Sequence, residues 1–324
     1  MKDDRSRMKA PERILILGAG AVGLPLAAKL SHVADVVAVT RQNSARAISR
    51  DGLEICGAWG AESDRFTCVC DLVDDVDFDY VLITSKSQDT EGICQQYRDI
   101  IGASQVVSFQ NGIGNEETIS NYSDHVIGGV VLTGFVRQGD REIRVTANAG
   151  PMQIGRFPEG LDAEVKGLAD IMNRAGIPVE TTDHITGKLW SKNLINCSLN
   201  PLSAIMGVTY GELRRPDSWQ IIEEMVREIY TIVQKDAIRL QWRDPDTFLG
   251  YLYGALIPVM SRHSSSMLQD ILHGHKTEID YLNGAVVTSG KRLGVATPYN
   301  ACISDMVRFK ESIAGLPVQN SVIH

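Results

Sequence analysis

Ile14-Leu15-Ile16-Leu17-Gly18-Ala19-Gly20-Ala21-Val22-Gly23 decides how the first half of this chain reads. Four consecutive apolar residues fit a strand covered on both faces, and the G-x-G-x-x-G spacing that follows opens a helical pattern. In that setting each glycine has a task. The first permits a tight turn, the second lets the backbone approach a pyrophosphate, and the third lets the helix pack closely on the strand. The free N–H groups and positive dipole end of that helix would face two phosphates. A turn that needs glycine for its own sake is the plainer alternative. The strand-then-helix context favours a dinucleotide held by Gly18, Gly20, Ala21, Val22 and Gly23.

Outward from this loop, short β-branched runs at 14–17, 35–40, 80–84, 105–109 and 126–132 alternate with helical or loop segments up to about residue 154. Such spacing predicts βαβ units and a mostly parallel sheet, an α/β Rossmann-type domain. The end of the second strand distinguishes the two nicotinamide dinucleotides, because an acid there would hold the ribose 2′-hydroxyl and repel a 2′-phosphate. This chain has Thr40-Arg41 instead. A guanidinium offers a phosphate a charged planar fork, so NADPH is the expected cofactor. Lys86, just past the third run, and Asn111, in Gln110-Asn111-Gly112-Ile113-Gly114 after the fourth, fall by position at the ligand-binding edge of this half. Asn111-Gly112 equally suits a plain turn.

After Pro178 the pattern changes. Segments 185–206, 218–240, 267–293 and 299–313 carry a helical period and no strand alternation, which predicts an all-helical second domain. The expected division is 1–182 and 183–324.

Within the helical half, Lys192, Asn196 and Asn200 stand four residues apart. Successive members drift by only about 40° around a helix, so all three share one face. An ammonium and two amides on one stripe can polarise a carbonyl and anchor a carboxylate; a solvated polar face has the same spacing. Glu278 could hydrogen-bond a substrate hydroxyl or orient Lys192. It could also be a first-turn acid, since Thr277 and Asp280 have capping-box spacing.

Composition excludes several classes. The 324 residues carry a formal net charge of -8 without a long run of one sign, so neither a nucleic-acid footprint nor a basic membrane patch is expected. The polar stretch 1–13 and the short apolar run after it resemble neither a signal peptide nor a membrane span, so a cytoplasmic protein is expected. Six scattered cysteines lack C-x-x-C spacing, and His273-Gly274-His275 reads as a helix break or surface pair, so no metal is expected.

Taken together, the glycine loop, Asn111-Gly112-Ile113-Gly114, the stretch 189–205 ending Asn200-Pro201-Leu202-Ser203-Ala204-Ile205, Ser265-Ser266-Met267-Leu268-Gln269-Asp270 and Thr277-Glu278-Ile279-Asp280-Tyr281-Leu282-Asn283-Gly284 resemble the ketopantoate reductase (2-dehydropantoate 2-reductase) family. The resemblance spans nearly the whole chain. It implies a helical domain like that of 6-phosphogluconate dehydrogenase and an active site in the cleft between the domains. It further implies NADPH-dependent reduction of a 2-oxo acid, 2-dehydropantoate to pantoate. By the same resemblance Lys192 and Glu278 are catalytic, and Asn111, Asn196, Asn200 and Ser266 contact cofactor or substrate. Pantoate-making members carry further asparagines where this chain has Tyr210 and His263. A reductase of another 2-oxo acid or of an imine is therefore the alternative, with a non-catalytic NADPH-binding regulator a more distant one. A homodimer is compatible with the sequence, which does not itself set the oligomeric state.

Overall fold

The computed structural model describes residues 11–72 and 76–314, so most of the charged stretch 1–13 lies outside the described residues. By internal contact the chain forms two compact units. One runs through Gln110 and Asn115–Ile185; the other holds Asn111–Gly114 and continues from Thr186.

The first unit contains β1 (Arg13–Leu17), β2 (Asp35–Val39), β3 (Leu53–Gly57), β4 (Glu62–Asp64), β5 (Thr67–Val69), β6 (Tyr80–Ile83), β7 (Gln105–Ser108), β8 (Val126–Val130), β9 (Thr133–Arg137), β10 (Glu142–Asn148), β11 (Met152–Arg156) and β12 (Val179–Thr181). Its helices are α1 (Gly23–Leu30), α2 (Gln42–Asp51), α3 (Thr90–Gln96), α4 (Arg98–Ala103), α5 (Asn115–Ile119) and α6 (Ala163–Arg174). Eight strands make one sheet in the order β12-β11-β8-β7-β6-β1-β2-β5. Every pairing in it is parallel except β11 with β8.

The central strands read as unbroken apolar runs because each face has its own core. Ile14 and Ile16 of β1 enter one hydrophobic cluster and Leu15 and Leu17 the other, all four fully buried. Each such side chain contributes about 1.5–3 kcal/mol. Because the order reverses at β1, the loops after β1 and β6 open at the switch point where ligands of such sheets bind.

A second sheet, β4-β3-β10-β9, escaped the sequence reading. Its strands are half-buried, β10 alternating buried and exposed positions along Glu-Ile-Arg-Val-Thr-Ala-Asn, and so lack the continuous apolar signal of the central strands.

The described part of the second unit is helical: α7 (Ile185–Met206), α8 (Pro216–Lys235), α9 (Pro245–Tyr251), α10 (Ile257–Val259), α11 (Ser266–Leu272), α12 (Asn283–Leu293) and α13 (Pro298–Ile313). Among the described residues no helix is long and apolar enough to cross a membrane. The core gathers Trp190, Leu194, Cys197 and Leu202 of α7 against Ile222, Met225, Val226 and Ile229 of α8 and Val286 of α12.

Two expected helices are shorter than their periodicity suggests. The 218–240 segment ends at Lys235, with Ala237 at φ 56°, and 267–293 is interrupted between Leu272 and Asn283. The interruption starts at His273 and Gly274, where φ is +67°. Beyond it Glu311 Oε1 of α13 accepts from both the Thr277 N–H (2.7 Å) and its hydroxyl. Long-range pairing thus overrides local period.

Candidate functional site

The glycine loop is pinned from two sides. Ala19 N–H donates to Val39 O (2.8 Å), and Thr40 Oγ1 donates to Ala19 O (2.5 Å). Gly18 has φ +68°, and a Cβ there would lie 2.4 Å from Ser85 Cβ. A Cβ on Gly23 would lie 2.3 Å from Thr84 Oγ1, so α1 packs too closely on the sheet for any other residue. At Gly20 the nearest atom is Gly18 O at 3.8 Å, and the space beyond is open. No side chain caps α1 at Val22 and no acid stands in its first turn. These features fit a pyrophosphate against the loop.

Arg41, exposed, is the residue preceding α2, whose first turn also lacks an acid. Arg137 at the end of β9 reaches the same helix end and donates to Ser44 Oγ; it was not singled out from sequence. Burial first, and then the Arg41 charge, hold the Arg137 guanidinium below its ordinary pKa against the opposing pull of Asp140. Two guanidiniums converging on an uncapped helix start suit a phosphate.

Lys86, half-buried, directly precedes the short 3₁₀ turn Ser87–Asp89. Its loop is held by Gln110, whose Nε2 donates to Ser85 O (3.2 Å), Lys86 O (3.3 Å) and Thr90 Oγ1 (2.8 Å). Nothing in the sequence around Gln110 marked it for this task.

The second unit holds a polar pocket of its own. Asn111, Asn196, Asn200, Ser266, Met267, Asp270, Glu278 and Leu282 line it. The segment Asn111–Gly114, which by position belonged with the first half, is tied here: Ile113 N–H donates to Tyr281 O (2.8 Å), and a Cβ on Gly112 would meet Tyr281 at 2.6 Å. Asn111 Nδ2 donates to Glu278 Oε2 at 3.2 Å.

Glu278 is buried and lies ahead of α12, which begins only at Asn283. The first-turn-acid reading therefore fails. Asp280, its proposed capping partner, instead accepts from Arg308 Nη2 at 2.7 Å, and the Thr277 hydroxyl is taken by Glu311.

Asn196 and Asn200 reach the pocket from successive turns of α7, while Lys192, one turn earlier and half-buried, is not among its lining residues. Asp270, to which the sequence reading assigned no role, does line it. Pro201 sits inside α7 and leaves Cys197 O without its helical donor; Asn283 Nδ2 supplies one at 3.3 Å. Cys197 is fully buried and burial pushes its thiol far up, which suits packing rather than nucleophilic chemistry.

Tyr210 and His263 form one pair beside Asn200. Tyr210 N–H donates to His263 O (3.1 Å), their rings lie 5.0 Å apart, and the Tyr210 hydroxyl donates to Asn200 Oδ1 (2.5 Å).

A nucleotide-type glycine loop in one unit and an amide-lined pocket in a helical second unit define a two-domain nicotinamide-dinucleotide oxidoreductase. Residues 14–159 match the ketopantoate reductase PanE/ApbA model and residues 184–311 its C-terminal counterpart. The 2-dehydropantoate 2-reductase of Aquifex aeolicus is 33% identical over 307 residues, 92% of this chain and 97% of the relative. That of Pyrococcus horikoshii is 31% identical over 305 residues, 94% and 99%. The chain belongs to the ketopantoate reductase family.

Solved structures agree on the fold. A PanE/ApbA family ketopantoate reductase from Ralstonia eutropha superposes with a TM-score of 0.83 at 29% identity, covering 93% of this chain and 98% of that one. A D-mandelate dehydrogenase with NADH and anilino(oxo)acetate gives 0.84 at 24%, with the same coverage.

Proposed function

We propose that this protein reduces a 2-oxo acid with NADPH, and that the acid is 2-dehydropantoate, giving pantoate. The observation that carries the reading is the pocket. Asn111, Asn196, Asn200, Ser266 and Glu278 come from separate stretches of a family member's sequence and line a single cavity. Among the described residues, the Asn196 side-chain amide, Asn200 Nδ2 and Ser266 Oγ have no hydrogen-bond partner of their own, which leaves them for a ligand.

NADPH, when bound, supplies the hydride that reduces the carbonyl carbon. Gly18, Gly20, Ala21, Val22 and Gly23 would hold its pyrophosphate, Arg41, helped by Arg137, would hold its 2′-phosphate, and Lys86 and Asn111 would supply further contacts. Asn196, Asn200 and Ser266 hold the carboxylate and hydroxyl of the acid. Lys192 gives a proton to the carbonyl oxygen as negative charge develops there, so the ketone becomes an alcohol and the lysine recovers its proton from water. Glu278 orients the substrate hydroxyl or Lys192 and is itself held by Asn111. The partners of the protein are thus small molecules, and we place it in the cytoplasm.

The Tyr210–His263 pair supports a second reading in which another 2-oxo acid is the substrate, since two aromatic rings replace smaller amides beside Asn200. Oxidation of NADPH followed at 340 nm, with 2-dehydropantoate and a panel of 2-oxo acids with and without amines, separates the readings. Rapid turnover of 2-dehydropantoate is expected. Replacing Lys192 by Ala should lower kcat about 10²–10⁴-fold; near-normal turnover would remove it from the mechanism.

A further inference from the structure

Asn200 has two faces with opposite hydrogen-bonding character, and which of them meets a ligand depends on how the amide is turned. The Tyr210 hydroxyl settles this. It is buried, and burial pushes its pKa well above the ordinary value, so it keeps its hydrogen. Among the described residues the acceptor for that hydrogen is Asn200 Oδ1, at 2.5 Å. Turning the amide over would let Nδ2 donate to the phenolic oxygen but would leave the buried phenolic hydrogen without an acceptor among the described residues.

Tyr210 itself has little freedom. Its N–H is bound to His263 O, its ring rests on the His263 imidazole, and the next residue, Gly211, donates to Ser261 O (2.9 Å). The Asn200 backbone is fixed as well. Ser265 Oγ, which caps α11, donates to Asn200 O (3.3 Å), so Asn200 and the neighbouring Ser266 are held in one arrangement.

We propose that Tyr210 is a positioning residue for substrate selection, locking the Asn200 amide with Nδ2 toward the pocket so that this point accepts only a hydrogen-bond acceptor. The ligand group that fits is a carboxylate oxygen, and a group that presents a donor there is turned away. The inference rests on the reading that the pocket takes a 2-oxo acid, and assigns to one residue the preference for the acid over its amide.

The test is Tyr210→Phe, which keeps the ring and its contact with His263 and removes only the hydroxyl. Steady-state kinetics with NADPH are measured for the best 2-oxo acid and for the corresponding 2-oxo amide, with Asn200→Ala and the double variant alongside and thermal unfolding to confirm folding. The expected result is a KM for the acid raised about tenfold with kcat changed less than about twofold. The acid-over-amide ratio of kcat/KM should shrink, and Tyr210→Phe should add little in the Asn200→Ala background. An unchanged KM and acid-over-amide ratio, or effects that add fully in the double variant, would overturn the inference while leaving the functional reading intact. If the unmodified protein reduced no 2-oxo acid, the functional reading would fall and this inference with it.

Discussion

Asn283 Nδ2 donates to the carbonyl of Cys197, the one that Pro201 deprives of its normal partner in α7. The same amide nitrogen donates to Asn300 Oδ1 (2.9 Å), and Asn300 in turn donates to Glu228 Oε2 (2.7 Å). A proline within the helix that carries Lys192, Asn196 and Asn200 is tolerated because α12 supplies the missing donor. Asn283→Ala should therefore cost about 2 kcal/mol, seen as a fall of about 4–8 °C in Tm. Pro201→Ala in that background should recover part of the loss by restoring a helical N–H. A double variant no more stable than Asn283→Ala would show that the carbonyl had not been the point of weakness.

The three glycines of the loop should separate stability from binding. A Cβ at Gly20 meets no protein atom closer than 3.8 Å, so Gly20→Ala should unfold at nearly the original temperature yet bind NADPH at least about tenfold more weakly. Gly23→Ala would drive a methyl into Thr84 Oγ1 and should lower Tm clearly. Fluorescence titration with NADPH and thermal melts on both variants check this. An unchanged NADPH affinity in Gly20→Ala would mean that the open space at Gly20 is not a ligand's.

Arg41 and Arg137 should share cofactor choice. Arg41→Ala is expected to raise the KM for NADPH about 10–100-fold with little change for NADH, the loss expected when one charged contact to the 2′-phosphate is removed. Arg137→Ala should act in the same direction but less, since its guanidinium is already engaged by Ser44 and lies near Asp140. The ratio of NADPH to NADH efficiency in each variant is the measurement, and a ratio unmoved by Arg41→Ala would take the phosphate away from this helix end.

Acid should weaken the fold in part through His263. Burial holds its imidazole below the ordinary value of 6.5, so between the two values the unfolded chain binds the proton more readily than the folded one. The stability in question is complete above pH 6.5 and is lost as the pH falls through the folded value. Melting curves from pH 7.5 to 5 should show a falling Tm, with a shallower fall in His263→Asn. Parallel curves for the two proteins would acquit His263.

Much of this architecture is legible locally. The apolar run 14–17 is a strand with both faces covered because every residue in it is apolar, and Gly18 opens the turn because its φ of +68° suits glycine. The shared face of Lys192, Asn196 and Asn200 follows from helical spacing, and α7 carries all three. Strands β3, β4, β9 and β10 were hidden because half-buried strands lack the continuous apolar run that marks the central ones. The break before α12 was hidden because Ile279, Leu282 and Val286 keep a helical period across it.

What the sequence determined by itself is therefore the set of local conformations: the glycine turn, the two-faced strands, the polar stripe of α7 and, with Arg41, the charge expected of the cofactor. Tertiary structure alone decided which groups meet. Asn111 and Glu278, 167 residues apart, form one hydrogen bond, and Asn111–Gly114 joins the helical unit through Tyr281. The direction of the Asn200 amide is set by Tyr210. The reason is physical: periodicity and glycine freedom are properties of neighbours along the chain, whereas the partner of a buried donor is settled only when distant segments are brought together and water is excluded.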